Sequence, residues 1–152
     1  MKTARLTTEL AKFERIGLDT SILIYHLDDI TPYSELTEAV FGEVAAGTPE
    51  AVVSTISIAE LLVKPFADHA PERVAAFERF VLSLPHTRLV ASGYVAAKEA
   101  ARLRARYRLR TPDALLIATA REERAQAFLT NDAGLRRLKG EGLAILVLDD
   151  YV

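Results

Sequence analysis

Short apolar runs alternate with stretches of helical periodicity along most of the chain. Arg15-Ile16-Gly17-Leu18 reads as a strand that runs into Asp19-Thr20-Ser21 and then an apolar helical stretch from Ile22 to Leu27, so a strand-to-helix turn is predicted there. Leu36, Val40 and Val44 recur at helical spacing until Gly47. Ala51-Val52-Val53-Ser54 is a second buried strand, followed by a helix over 57–64 that Pro65 should end. Pro71 can open a helix whose face carries Val74, Phe77 and Val81 until Pro85, and this helix should pair with its predecessor. Thr87-Arg88-Leu89-Val90 is a third strand. After Ser92, Ala96, Ala100, Leu103 and Tyr107 line one helix face. Thr111-Pro112 opens a helix to Ala120 that is apolar almost all round and should lie against a sheet. Ala127–Thr130 is the fourth strand, 132–138 a short helix, and 143–148 the fifth strand.

Continuous apolar strands alternating with helices predict a three-layer, doubly wound α/β domain with a mostly parallel sheet of about five strands. The ligand site of such a fold lies beyond the carboxyl ends of the strands, near the point where strand order reverses. The chain has 152 residues, 50% of them hydrophobic, which suits one domain over 1–152 with a real core. It has no cysteine, which excludes disulfides and thiolate metal sites. Met1 to Arg15 mixes charged and apolar residues without the continuous apolar stretch of a signal peptide, and no run approaches the ~20 residues of a membrane span. A soluble, cytoplasmic protein with no membrane partner is the expectation.

Charge is nearly balanced, at −2, but unevenly placed. Lys98, Arg102, Arg104, Arg106, Arg108 and Arg110 stand against Glu99 alone, a local +5 that leaves −7 for the remainder of the chain. The strip can be a solvated helix face whose basic end complements the helix dipole, or it can bind phosphate.

Four acids converge on the predicted carboxyl edge. Asp19 follows the first strand, Glu60 lies one turn into the helix after the second, Asp113 is in the first turn of the helix leading to the fourth, and Asp132 follows that strand. Each also has a local structural explanation. Asp19 and Asp132 can cap helices, Asp113 complements a helix dipole, and Ser57 with Glu60 fits the S-x-x-E capping box. Jointly they point elsewhere, because several carboxylates brought together repel and raise one another's pKa unless a cation neutralises them. Oxygen-only ligands favour Mg²⁺ or Mn²⁺ over zinc. One or two such ions in an acidic pocket are the equipment of a phosphodiester hydrolase.

Leu18-Asp19-Thr20-Ser21, Ser57-Ile58-Ala59-Glu60-Leu61, Thr111-Pro112-Asp113-Ala114-Leu115-Leu116-Ile117-Ala118 and Leu129-Thr130-Asn131-Asp132 resemble, in order and spacing, the four acidic motifs of PIN domains. The nearest resemblance is to the VapC-type toxins of bacterial toxin-antitoxin pairs, from about Ile16 onward. The resemblance implies a Mg²⁺- or Mn²⁺-dependent endoribonuclease, a homodimer, and an antitoxin whose tail enters the acidic groove. It implies that Asp19 and Asp113 are direct metal ligands, that Glu60 and Asp132 complete the site or orient water, and that Ser21, Thr130 and Asn131 assist by hydrogen bonding. Arg108 and Arg110, close before Asp113, are the candidates for holding RNA phosphates. The departure is the leading segment 1–14, which such toxins usually lack and which reads as an extra helix, an arm or a misassigned start. His26 is expected to be partly exposed or hydrogen-bonded rather than catalytic, and His69 and His86 sit beside prolines in connections.

Two other readings compete. A phosphotransfer domain with Asp19 as nucleophile, as in haloacid-dehalogenase-like phosphatases, wants a second aspartate where Ser21 stands. A catalytically silent PIN-like module would keep the fold and bind RNA or an antitoxin, a reading against which four intact acids weigh.

Overall fold

A computed structural model describes residues 1–152. In chain order the elements are α1 (Lys2–Leu10), β1 (Arg15–Leu18), α2 (Thr20–Leu27), α3 (Ser34–Ala46), β2 (Glu50–Ser54), α4 (Thr55–Leu61), α5 (Val63–Ala67), α6 (Pro71–Ser83), β3 (Thr87–Val90), α7 (Tyr94–Tyr107), α8 (Thr111–Glu122), β4 (Ala127–Thr130), a 3₁₀ segment (Ala133–Glu141), β5 (Ala144–Val147) and a second 3₁₀ segment (Leu148–Tyr151).

The sheet order is β3-β2-β1-β4-β5 and every pairing is parallel, with Ile16 in register with Ala51 on one side and Ala127 on the other. Both faces of such a sheet are covered, and successive side chains of each strand enter opposite layers. Ile16, Leu18, Ala127 and Leu129 pack with Leu6 and Leu10 of α1, Ile22 and Leu23 of α2, Val40 and Val44 of α3, and Phe77 and Val81 of α6. Phe128 points the other way, among Leu103 of α7, Leu116 and Ile117 of α8, and Leu135 and Leu138 of the first 3₁₀ segment. The expected three layers are present, and "mostly parallel" becomes wholly parallel.

Gly17 sets how closely one layer approaches. A Cβ there would lie 2.6 Å from the Ala120 Cβ and 2.9 Å from the Phe128 Cδ1, so α8 rests directly on the β1 backbone only because residue 17 has no side chain.

The helix after β2 differs from the expectation. The helix expected over 57–64 begins at Thr55, capped by the Ser54 hydroxyl, which accepts from the Ile56 N–H at 3.0 Å. It ends at Leu61 rather than at Pro65, which lies inside the separate α5, where proline's missing N–H falls in the first turn and costs little. Ser57 is therefore mid-helix, and the capping-box explanation for Ser57 and Glu60 fails. The leading segment is a helix: fully buried Leu6 and Leu10 hold α1 to the core, and the Arg5 guanidinium lies 5.6 Å from the Tyr151 ring centroid. No helix is long and apolar enough to cross a membrane.

Candidate active site

Between β1 and β4, where strand order reverses, the carboxyl ends of the strands open into a cavity of about 400 Å³. Asp19 is its deepest acid. Its backbone N–H extends the ladder to Leu129 O at 2.9 Å, and its extended φ and ψ of −72° and 153° make it the N-cap of α2. Its Oδ1 accepts from the Thr20 N–H at 2.8 Å and its Oδ2 from the Thr130 hydroxyl at 2.7 Å. Both carboxylate oxygens thus have one donor each, with lone pairs left over.

Glu60, near the end of α4, accepts from the Thr20 hydroxyl at 2.8 Å, and that hydroxyl also meets the fully buried Ser57 hydroxyl at 2.8 Å. Asp113, in the first turn of α8, has a side chain only 14% exposed and receives Arg110 Nε and Nη2 at 3.1 and 3.3 Å. Asp132 is exposed at the rim, where its Oδ1 caps Gly134 N–H at 2.9 Å. Thr130 lies behind the wall, accepting from the Asp132 N–H at 3.0 Å while donating to Asp19.

All four predicted acids line this one cavity, with Ser21, Asn131 and Arg110. Arg108 does not. It ends α7 in a left-handed conformation, φ 56°, and is exposed outside the cavity. The rest of the strip is largely spoken for: Arg102 and Arg106 pair with Glu141 at 2.7 and 3.6 Å. His26 is half-buried against Phe41 and Phe80, with ring centroids at 4.7 and 5.0 Å, and burial lowers its pKa. Sequence reasoning overlooked Thr20, Ser57 and Tyr25. The signal for Tyr25 was its place one helical turn after Ser21; for the two hydroxyls it was polarity at positions that face the interior.

The electrostatics follow the like-charge argument. Burial pushes the Asp19 carboxyl up from 3.8 to about 6; the bonds from Thr130 and Thr20 pull it back, and the nearby charges of Asp113 and Glu60 push it further up. Asp113, with Glu60 and Asp132 further off, raises the Arg110 pKa.

No set of three or more of these acids closes on a single point suited to a cation, because Asp113 is turned to Arg110, Asp132 to Gly134 and Glu60 to Thr20. The donor chemistry nevertheless fits a hard dication. Every acid here offers oxygen, Asp19 keeps free lone pairs, and the Ser21 hydroxyl on the cavity wall is buried without a hydrogen-bond partner.

A search of curated proteins gives no match. Among solved structures, a chain of VapBC2 from Rickettsia felis, bound to a DNA fragment from its promoter, matches with a TM-score of 0.70 at 18% identity, over 86% of this chain and 96% of that one. A chain of DNA-bound VapBC from Salmonella typhimurium matches with a TM-score of 0.68 at 19% identity, over 88% and 98%. VapC20 from Mycobacterium tuberculosis, a Sarcin-Ricin loop cleaving toxin, matches with a TM-score of 0.59 at 16% identity, over 74% and 86%. At these identities the likeness is one of fold. The PIN-domain family model matches residues 16–141, from the start of β1 through the first 3₁₀ segment and across all four acidic segments, and the chain belongs to the PIN-domain family.

Proposed function

We propose that this chain is a divalent-metal-dependent endoribonuclease, the toxin of a toxin-antitoxin pair, acting on cytoplasmic RNA. The observation that carries the reading is the gathering of Asp19, Glu60, Asp113 and Asp132, from four separate segments, around one cavity at the reversal point of the sheet. The similar fold of a Sarcin-Ricin loop cleaving toxin and of chains from two VapBC structures supports it. A homodimer and an antitoxin segment that covers the acidic groove belong to the same reading.

Asp19 and Asp113 would hold Mg²⁺ or Mn²⁺, with Glu60 and Asp132 completing the site and Ser21 supplying its unpartnered hydroxyl. When bound, such an ion acidifies water and stabilises charge on phosphate oxygens. Thr20 N–H and Thr130 fix both oxygens of Asp19, so the carboxylate presents free lone pairs without rotating. Thr20 also holds Glu60 in place, and Arg110, 77% exposed, can leave Asp113 for a substrate phosphate at small cost.

One feature favours the silent binding module: Asp113 and Asp132 each have a local partner, as purely structural acids would. Two measurements separate the readings. Purified protein should cleave mixed RNA with Mn²⁺ or Mg²⁺ and not with EDTA, and Asp19→Asn and Asp113→Asn should abolish cleavage. Mn²⁺ should raise the thermal midpoint near neutral pH and do so much less at about pH 5, where a proton occupies Asp19. A folded wild type that neither cleaves nor responds to Mn²⁺ belongs to the module. Cleavage that survives in both variants comes from another site.

A further inference from the structure

The cavity wall has two kinds of surface. Most of it is polar or charged, while its apolar part is two consecutive residues of α2, Ile24 and Tyr25. The Tyr25 ring lies on the Tyr33 ring, with centroids 4.5 Å apart and planes 16° from parallel. Both tyrosines are half-exposed, so the pair is not closed off in the core.

A frame of hydrogen bonds fixes the stack. Asn131 Nδ2 donates to the Tyr25 hydroxyl at 3.3 Å, the Asp149 N–H donates to Asn131 Oδ1 at 2.9 Å, and the Tyr33 hydroxyl donates to Asp149 Oδ1 at 2.7 Å. Asn131 immediately precedes Asp132, so the aromatic pair is indexed to the carboxylates through one residue. Asn131 therefore positions a ring rather than serving the acids directly.

A nucleotide has a matching pair of surfaces, an anionic phosphate and a flat apolar base. We propose that the Tyr25–Tyr33 stack is a nucleobase platform that takes one unstacked base of single-stranded RNA while the neighbouring phosphate lies among the acids and Arg110. This rests on the nuclease reading and names the side chains that would hold a base beside the acids. A base inside a duplex is already covered on both faces and cannot be offered, whereas loops and single strands can splay one out. Every base has a π-face, so the platform selects for strandedness more than for sequence. The side chain is immobilised before substrate arrives, which removes an ordering cost from binding.

The test compares hexauridylate with a ribose-phosphate backbone of the same length lacking bases, by fluorescence anisotropy with Ca²⁺ present to neutralise the acids and the intactness of both probes checked on a gel. Wild type should prefer the base-bearing strand by roughly tenfold, the scale of one base-aromatic stack. Tyr25→Ala should lose that preference and keep its affinity for the bare backbone. Tyr25→Phe, which keeps the ring, should retain most of it. Equal binding of the two probes by wild type, or a preference that survives Tyr25→Ala, overturns the platform, and the first needs no variant to fold. A wild type that cleaves RNA but shows no base preference loses the platform alone. One that neither cleaves RNA nor retains either probe loses the nuclease reading as well.

Discussion

Asp19 and Glu141 are both largely hidden carboxylates in one small domain, and their surroundings treat them in opposite ways. Glu141, 8% exposed, receives Arg102 Nη2 and the Tyr107 hydroxyl at 2.7 Å each and Arg121 Nη1 at 3.3 Å. The hydrogen bonds from Arg102 and Tyr107 outweigh its burial and hold its pKa down at about 2, against an ordinary 4.5. Asp19 has only neutral donors, the Thr20 amide and the Thr130 hydroxyl, while Asp113 and Glu60 lie near enough to oppose its charge; burial dominates and its pKa rises to about 6. Glu141 ties the first 3₁₀ segment to α7 and α8. Asp19 joins only the Thr20 amide and the Thr130 hydroxyl, both neutral. A charge left without a cationic partner at a cost to stability agrees with the metal site proposed for Asp19.

The largest expected effects come from neutralising each acid in turn. Asp19→Asn should lower RNA cleavage by more than about 100-fold, the upper range for partners that merely support a metal ligand. The same change should stabilise the fold near neutral pH. Between pH 3.8 and about 6 the native state keeps a proton that the unfolded chain releases, so stability falls as pH rises through that window. Removing the charge recovers up to roughly 3 kcal/mol, less what is lost when the Thr130 hydroxyl must turn to face an amide. Glu141→Gln should do the reverse, leaving cleavage intact and lowering stability. Its contribution is present above pH 4.5 and is lost as pH falls toward about 2. Urea unfolding at neutral pH and at about pH 4, where the Asp19→Asn gain should have all but vanished, reads both signs. If both variants are destabilised at neutral pH, the contrast between the two regions is wrong.

Gly17→Ala attacks the geometry that brings Asp113 to Asp19. The new Cβ would press on Ala120 of α8 at 2.6 Å, a backbone-borne contact that a side-chain rotation cannot relieve. A cost of about 1–3 kcal/mol is expected. As α8 moves outward, Asp113 retreats from Asp19, and the response to Mn²⁺ should weaken while the Glu141 network, carried by α7, α8 and the 3₁₀ segment together, persists. Thermal unfolding with and without Mn²⁺ checks this. An unchanged Mn²⁺ response in a destabilised variant would show that the spacing of β1 and α8 does not set the site.

The legible and illegible parts of the sequence divide along the same line. The parallel sheet and its two covering layers follow from two-sided apolar runs such as Ala127–Thr130. Asp19 and Asp132 after strands and Asp113 at a helix start had to reach one edge of such a sheet, whereas the strand order and the place of Glu60 near the end of α4 are seen only in the structure. What could not be read were relations between segments distant in sequence. Nothing near Thr20 announces that its hydroxyl joins Ser57 to Glu60, and nothing near Tyr25 announces Tyr33 or Asp149. The strip from Lys98 to Arg110 stays open to two readings in the sequence for the same reason. Its counter-charge, Glu141, lies 39 residues from Arg102 in sequence. Pro65 reads as a stop signal in the sequence but lies in the first turn of α5, because α4 has already ended at Leu61.

The smallest effects should come from the arginines, and there the two regions are tested against each other. Arg110 lines the acidic cavity, and its partner Asp113 is one that a metal ion would claim. Arg102 faces Glu99 and Glu141, both of which stay negative across the physiological range and leave it little charge to offer RNA. Arg110→Ala should therefore reduce the dependence of RNA binding on log salt by about one phosphate contact, with a several-fold loss of affinity. Arg108→Ala, exposed but outside the cavity, should change the slope less, and Arg102→Ala should leave it unaltered while lowering stability, because it removes one charged donor from the largely hidden Glu141. Equal slopes for all three variants would mean that RNA meets the α7 surface as a diffuse field. A slope lost only with Arg102 would place the phosphates on the Glu141 side and separate RNA binding from the acid cavity.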